Sequence, residues 1–221
     1  MLLWNIFAAH AESPDWANKA RYEAANERLS QVADSARVVL MGNSITEFWN
    51  DSHPQFFTAN HLVGRGISGQ VSSQMLARFR QDVLNLKPRA VVINCGTNDI
   101  AENNGPYDED ITMDNIMSMT ELARAHGIEV ILSSVLPTDS FIWNPQVKDV
   151  SAKVQHLNQR IMAYCETNHI PYIDYYSSMV DAKGVAMNAG YTEDGVHPNS
   201  TGYDVMEIKL LDMLESITGH Q

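Results

Sequence analysis

The segment "RVVLMGNSITEFWN", residues 37–50, decides the architecture. An apolar run from Val38 to Met41 stops at Gly42-Asn43, and one serine, Ser44, follows at once. This pattern predicts a buried strand, a tight turn and the start of a helix, with a hydroxyl left at the strand's carboxyl end. Two roles fit Ser44. It caps the helix that begins near Ile45, or it is a nucleophile held out for attack. The segment alone leaves both open.

Working outward, the same alternation of short apolar runs and longer amphipathic ones recurs. Strands are expected at "RVVLMG" (37–42), "LVGRGI" (62–67), "AVVINCG" (90–96), "IEVILSSVLP" (128–137) and "IPYIDYYS" (170–177). Helices are expected over 16–33, 72–86, 111–127, 150–168 and 201–217, with Gly127 as a C-terminal stop. The third strand is apolar on nearly every residue, as a strand covered on both faces must be. Strand–helix alternation of this kind predicts an α/β fold, a three-layer α/β/α sandwich around a five-stranded parallel sheet. The expected strand order is the flavodoxin-like 2-1-3-4-5.

At 221 residues the chain suits one domain, expected over 15–221, with residues 1–14 as an N-terminal arm or signal remnant. A signal remnant would make the protein periplasmic or secreted; otherwise it would be cytoplasmic. The net charge of −12 argues against nucleic acid or anionic membrane as a partner, and mildly favours a neutral substrate. No stretch is long and apolar enough to span a bilayer. The two cysteines, Cys95 and Cys165, fall in apolar patterns and set neither a disulfide framework nor a metal site. With no H-E-x-x-H, clustered Cys/His set or phosphate loop, no metal or cofactor is expected. Oligomeric state is not written in these residues.

In open α/β sheets ligands bind beyond the carboxyl ends of the strands. Four such places carry unusual chemistry: Gly42-Asn43-Ser44-Ile45, "GISGQ" with Gly69, Gly96-Thr97-Asn98-Asp99, and Asp194-Gly195-Val196-His197-Pro198. An acyl-transfer site needs a nucleophile, a base, a carboxylate to orient it, and donors for an oxyanion. Ser44, His197, Asp194 and the set Ser44, Gly69 and Asn98 are the candidates for those parts. His197 stands apart from the other seven histidines because Asp194 precedes it by three residues in a Gly- and Pro-containing loop. Plainer roles compete: Asp194 as turn former and helix cap, and "GTND" as an Asx turn. The residue two past Ser44 is Thr46, so the G-x-S-x-G elbow of the α/β-hydrolases is not indicated.

Taken together, "GNSI", "GISG", "GTND" and "DGVH" resemble, in order and spacing, the four blocks of the SGNH hydrolases, the GDSL-type lipases, esterases and acylhydrolases. The resemblance spans residues 38 to about 200. It implies metal-independent ester hydrolysis through an acyl-serine, in a small and rather open site, with Ser44, Gly69, Asn98 and His197 as the four name-giving residues and Asp194 completing the triad. The usual "GDS" is "GNS" here. Asn43 at that place suits a turn-stabilising bond, and its neutral amide removes one carboxylate near Ser44.

"RGISGQ" followed by "MLARF", and "VLP" near the fourth strand's end, resemble the acetylhydrolase-type members, which include relatives of platelet-activating-factor acetylhydrolase and bacterial carbohydrate O-acetylesterases. The expected substrate is therefore a short acyl ester, acetate on a sugar or polysaccharide. Candidate substrate contacts are Asn43, Asn103, Tyr107 and Trp143, with Asn104 and Phe141 on the same long loops. Aromatic and amide groups at a rim suit a sugar, whereas a lipase wants a continuous apolar groove. Alternatives are a lysophospholipase or thioesterase taking longer chains, a flavodoxin-like binding protein, and a catalytically dead carbohydrate-binding relative.

Overall fold

A computed structural model describes residues 15–32 and 37–218; the expected arm at 1–14 lies outside the described residues. Five strands, β1 (Val38–Gly42), β2 (Leu62–Gly66), β3 (Ala90–Ile93), β4 (Glu129–Ser133) and β5 (Tyr172–Ile173), form one sheet in the order 2-1-3-4-5. Every pairing is parallel; Val38 lies level with Leu62 on one side and Ala90 on the other. The expected class and strand order are both found.

Helices α1 (Glu23–Ser30), α2 (Ser44–Ser52), α3 (Pro54–Ala59), α4 (Ser72–Asp82), α5 (Thr97–Ile100), α6 (Glu109–Ala125), α7 (Val150–Asn168), α8 (Tyr176–Met179) and α9 (Ser200–Thr218) connect and cover the strands. Successive side chains of each strand go to opposite cores. Val39, Met41, Val91, Ile93, Val130 and Leu132 pack with Phe79 of α4, Met119 of α6 and Leu157 of α7. Val38, Leu40, Ala90, Val92 and Ile131 pack with Trp49 of α2, Phe57 of α3 and Leu210 of α9. This double burial is why the strands carry no polar alternation.

The structure departs from the expected elements in several places. The helix over 16–33 is a 3₁₀ turn, Lys19–Tyr22, before α1. The segment 53–59, which carried no helical pattern, forms α3 because Pro54 has the backbone angle of a first helical residue and lacks the N–H that position leaves unpaired. The fifth strand is only Tyr172–Ile173: Asp174 accepts a hydrogen bond from the Ser177 N–H (2.9 Å) and turns the chain into α8.

Candidate active site

Ser44 is placed by its neighbours. At Gly42 a Cβ would come within 2.1 Å of Thr46 Oγ1, and at Gly66 within 2.2 Å of the Glu47 N–H nitrogen. The two glycines therefore let the first turn of α2 close over the ends of β1 and β2. Asn43 caps α2, its side-chain oxygen accepting from the Ile45 N–H at 3.0 Å. Ser44 is thus the first residue of the helix and not its cap, and its hydroxyl is left for another partner. That partner is His197, whose Nε2 lies 2.8 Å from Ser44 Oγ.

The far side of the imidazole is held by Asp194, with Nδ1 at 2.6 Å from Oδ2. The other oxygen, Oδ1, accepts from the backbone N–H groups of Val196 (2.9 Å) and His197 (2.8 Å). Asp194 is therefore turn former and ring partner at once, one oxygen for each, while Asn199 caps α9 through the Gly202 N–H. Gly195 takes a left-handed φ of 81°, and Thr192 Oγ1 donates to the His197 carbonyl at 2.7 Å. Thr192 had no signal in the sequence beyond its nearness to the motif.

Burial raises the Asp194 pKa, but the hydrogen bonds from the His197 ring and from the His197 and Val196 backbone outweigh it and hold the carboxyl below its ordinary value. A carboxyl depressed in the fold adds stability above its unfolded pKa, and that stability is lost as pH falls through the folded value. Asp194→Asn should therefore melt lower than the parent near pH 7, with the gap narrowing as pH falls below about 4. Melting curves across that range check this; a gap independent of pH would contradict it.

Asn98 stands at the start of α5 with its side chain turned away from its own backbone. Its Nδ2 donates to the Gln70 carbonyl (3.0 Å) and its Oδ1 accepts from Asn103 Nδ2 (3.0 Å), so no Asx turn forms. Gly69 has φ of 78°, a left-handed conformation that favours glycine, and the nearest side-chain atom to a Cβ there would be Asn103 Nδ2 at 3.9 Å. The backbone, more than close packing, explains this glycine. Among the described residues neither the Ser44 nor the Gly69 N–H has an acceptor. The preceding residue, Ser68, is tied to α2: Glu47 accepts from its N–H (2.7 Å) and its hydroxyl (2.6 Å).

Ser44, Gly69, Asn98 and His197 line one pocket of about 270 Å³ together with Phe48, Ser68, Asn103 and Trp143. Phe48 (43 % exposed) and Trp143 (42 % exposed) flank the imidazole, with ring centroids 5.1 Å and 6.2 Å from it. The sequence reading missed Phe48. Its signal was positional, because a residue four past Ser44 lies on the same helix face.

Several expected substrate contacts are placed elsewhere. Asn43 is 1 % exposed and its amide serves the α2 cap. Tyr107 packs against the main core, its hydroxyl donating to Glu109, and lines a different cavity with Asn104 and Asp99. Phe141 is buried and supports Trp143 from behind, ring centroids 5.1 Å apart. Packing against the core holds Phe141, buried, and Tyr107, half-buried, in the body. Of the other described histidines, His53 is bonded to Glu207 (2.6 Å) and Ser200 (3.0 Å). Cys95 and Cys165 are both buried and unpaired.

A serine, an imidazole and a carboxylate in a hydrogen-bonded row at the carboxyl end of a parallel sheet mark the chain as a hydrolase. It belongs to the GDSL-like lipase/acylhydrolase family, whose model matches residues 40–205. A GDSL-like lipase of Bacteroides thetaiotaomicron VPI-5482 is 52 % identical, with a TM-score of 0.89 over 91 % of this chain and 99 % of that one. A Bacteroides fragilis NCTC 9343 structure is 53 % identical, with a TM-score of 0.89 over 93 % and 99 %. An acetylxylan esterase of Xylanibacter ruminicola is 23 % identical over 206 residues, 76 % of this chain and 41 % of that protein. The chain spans less than half the length of the curated relatives it matches. Among the described residues no helix is long and apolar enough to cross a membrane.

Proposed function

We propose that the chain is a serine esterase that releases a short acyl group, acetate, from a carbohydrate. The observation that carries the mechanism is the row Ser44 Oγ–His197 Nε2–Nδ1–Asp194 Oδ2, at 2.8 and 2.6 Å. Ser44 Oγ attacks the ester carbonyl carbon while His197 Nε2 takes the hydroxyl proton. Asp194 holds the ring and stabilises the imidazolium. The carbonyl oxygen, now an anion, is met by the N–H groups of Ser44 and Gly69 and by Asn98 Nδ2, whose second hydrogen is not used by Gln70. Collapse expels the alcohol with the proton from His197. Water then attacks the acyl-serine, giving its proton to His197, and the acid and free Ser44 are regenerated. No step calls for a metal.

The acyl and alcohol assignments rest on the rim, where Phe48 and Trp143 stand half exposed beside the hydroxyl group of Ser68. That mixture suits the face and hydroxyls of a sugar better than an alkyl chain. The name of the Xylanibacter relative agrees with this choice. The test is a p-nitrophenyl ester series from acetate to decanoate, repeated with acetylated xylan. Activity should be highest on acetate and present on the polysaccharide. A preference for the long chains would replace the acetylesterase by a lysophospholipase or thioesterase-type acylhydrolase with the same triad.

A further inference from the structure

We propose that Trp143 and Asn103 form a polarity relay that fixes which end of the Asn98 amide faces the pocket. Asn103 is then a positioning residue for the oxyanion donor and not a substrate contact. The proposal rests on the reading of Asn98 as that donor.

Trp143 carries a group that can act only one way. An indole N–H donates and never accepts. Trp143 Nε1 lies 2.9 Å from Asn103 Oδ1, so the carbonyl end of Asn103 must face the tryptophan. Its NH₂ end then points the other way, 3.0 Å from Asn98 Oδ1 and 3.2 Å from the Gly69 carbonyl oxygen. A backbone carbonyl can only accept, so Gly69 independently demands the same orientation. Both Asn103 hydrogens are now used, which leaves none for a ligand.

Asn98 inherits the order. Its Oδ1 must face Asn103, and its NH₂ must face the Gln70 carbonyl, which again only accepts. One hydrogen goes to Gln70 and the second remains for the pocket. Three one-way groups, the Trp143 N–H and the Gly69 and Gln70 carbonyls, thus agree on two amide orientations. With Asn98 reversed, its oxygen would face the Gln70 carbonyl, its NH₂ would face the NH₂ of Asn103, and a second acceptor would stand where negative charge develops. The relay's origin is itself held in place: Asn144 Nδ2 donates to the Ala101 carbonyl (3.0 Å), tying the tryptophan loop to the end of α5. Trp143 is also a wall of the pocket, so the relay starts at a residue that lines the site it orders.

Asn103→Asp is the discriminating variant. The carboxylate keeps the shape and can still accept from Trp143, but it offers no hydrogen to Asn98 and draws the Asn98 NH₂ toward itself. The expected result on p-nitrophenyl acetate is a fall in kcat of about a hundredfold, similar to removal of one oxyanion donor, with KM within about twofold. Trp143→Phe keeps the ring and removes only the N–H; kcat should fall by a smaller factor, about three- to tenfold, by loss of one vote out of three.

In an Asn98→Ala background Asn103→Asp should change kcat by less than about threefold, because the group through which it acts is gone. Retention of the hundredfold loss in that background would overturn the relay, since the new charge would then be acting on the reaction directly. Unchanged kcat in Asn103→Asp alone would overturn it as well. If Asn103→Asp does not fold, an unchanged kcat in Trp143→Phe overturns it in the same way. Failure of the underlying reading looks different: Asn98→Ala alone would then leave kcat intact.

Discussion

Replacement of Ser44 by alanine is expected to lower turnover of p-nitrophenyl acetate by on the order of 10⁴- to 10⁶-fold, with almost no change in melting temperature. The kinetic loss is large because the hydroxyl is the atom that bonds to the acyl carbon, and nothing in the pocket replaces it. The small structural effect follows from the geometry. Among the described residues Ser44 Oγ is bonded only to His197, while the helix cap that a serine often supplies comes here from Asn43. Adding His197→Ala to Ser44→Ala should cost little more, since base and nucleophile act as one unit. Steady-state kinetics and thermal melts on the same samples check this. Retained turnover would remove Ser44 from the mechanism.

Arg78→Met should destabilise the protein by about 3–5 kcal/mol, which for a chain of this size lowers Tm by roughly 10 °C. Arg78 is 0 % exposed. Burial pulls its pKa down and the adjoining Asp82 offsets part of that. The guanidinium donates to Asp82 (2.8 Å), the Gln70 side chain (2.6 Å), and the carbonyls of Gly42 (2.9 Å) and Arg65 (3.0 Å). Asp82 continues the network to Asn26 (2.6 Å), and Asn26 accepts from Arg65. Removing the arginine leaves a buried carboxylate short of a counter-charge and takes one donor from each of three oxygens, on Gln70, Gly42 and Arg65. Because Gly42 precedes the Ser44 turn and Gln70 receives the Asn98 amide, kcat should fall along with stability. Denaturant titration measures the loss; a change below about 1 kcal/mol would show that the network relaxes around the gap.

The contrast between these two predictions shows what the sequence could disclose. As a candidate site, Ser44, Gly69, Asn98, Asp194 and His197 were legible only together: each turn alone has a plainer reading as a cap or Asx turn, but four such motifs in order at the strand ends do not. The parallel sheet was legible from uninterrupted apolar runs, which a sheet covered on both faces explains, whereas its order was expected only by likeness to flavodoxin-like folds. Arg65 and Arg78 were not legible, since an arginine in a strand or amphipathic helix is ordinarily a solvated side chain. Their burial depends on Asp82, one turn beyond Arg78 on α4, being joined by Asn26 arriving from α1.

Long loops misled in the same way. Tyr107 and Phe141 had the composition of a rim, and the structure buries Phe141 and half-buries Tyr107 against the core; Phe48, on the helix that starts with Ser44, took the place at the pocket wall. Asn43 was read both as a turn residue and as a substrate contact, and its cap hydrogen bond leaves it the first role.

The most direct measurement is covalent labelling by a fluorophosphonate, with the modified peptide mapped by mass spectrometry. The Ser44 oxygen displaces fluoride at phosphorus only if His197 can accept its proton. One label is expected, on Ser44, absent in Ser44→Ala and strongly slowed in His197→Ala. A label on any other residue, or an unlabelled protein that still hydrolyses p-nitrophenyl acetate, would contradict the account.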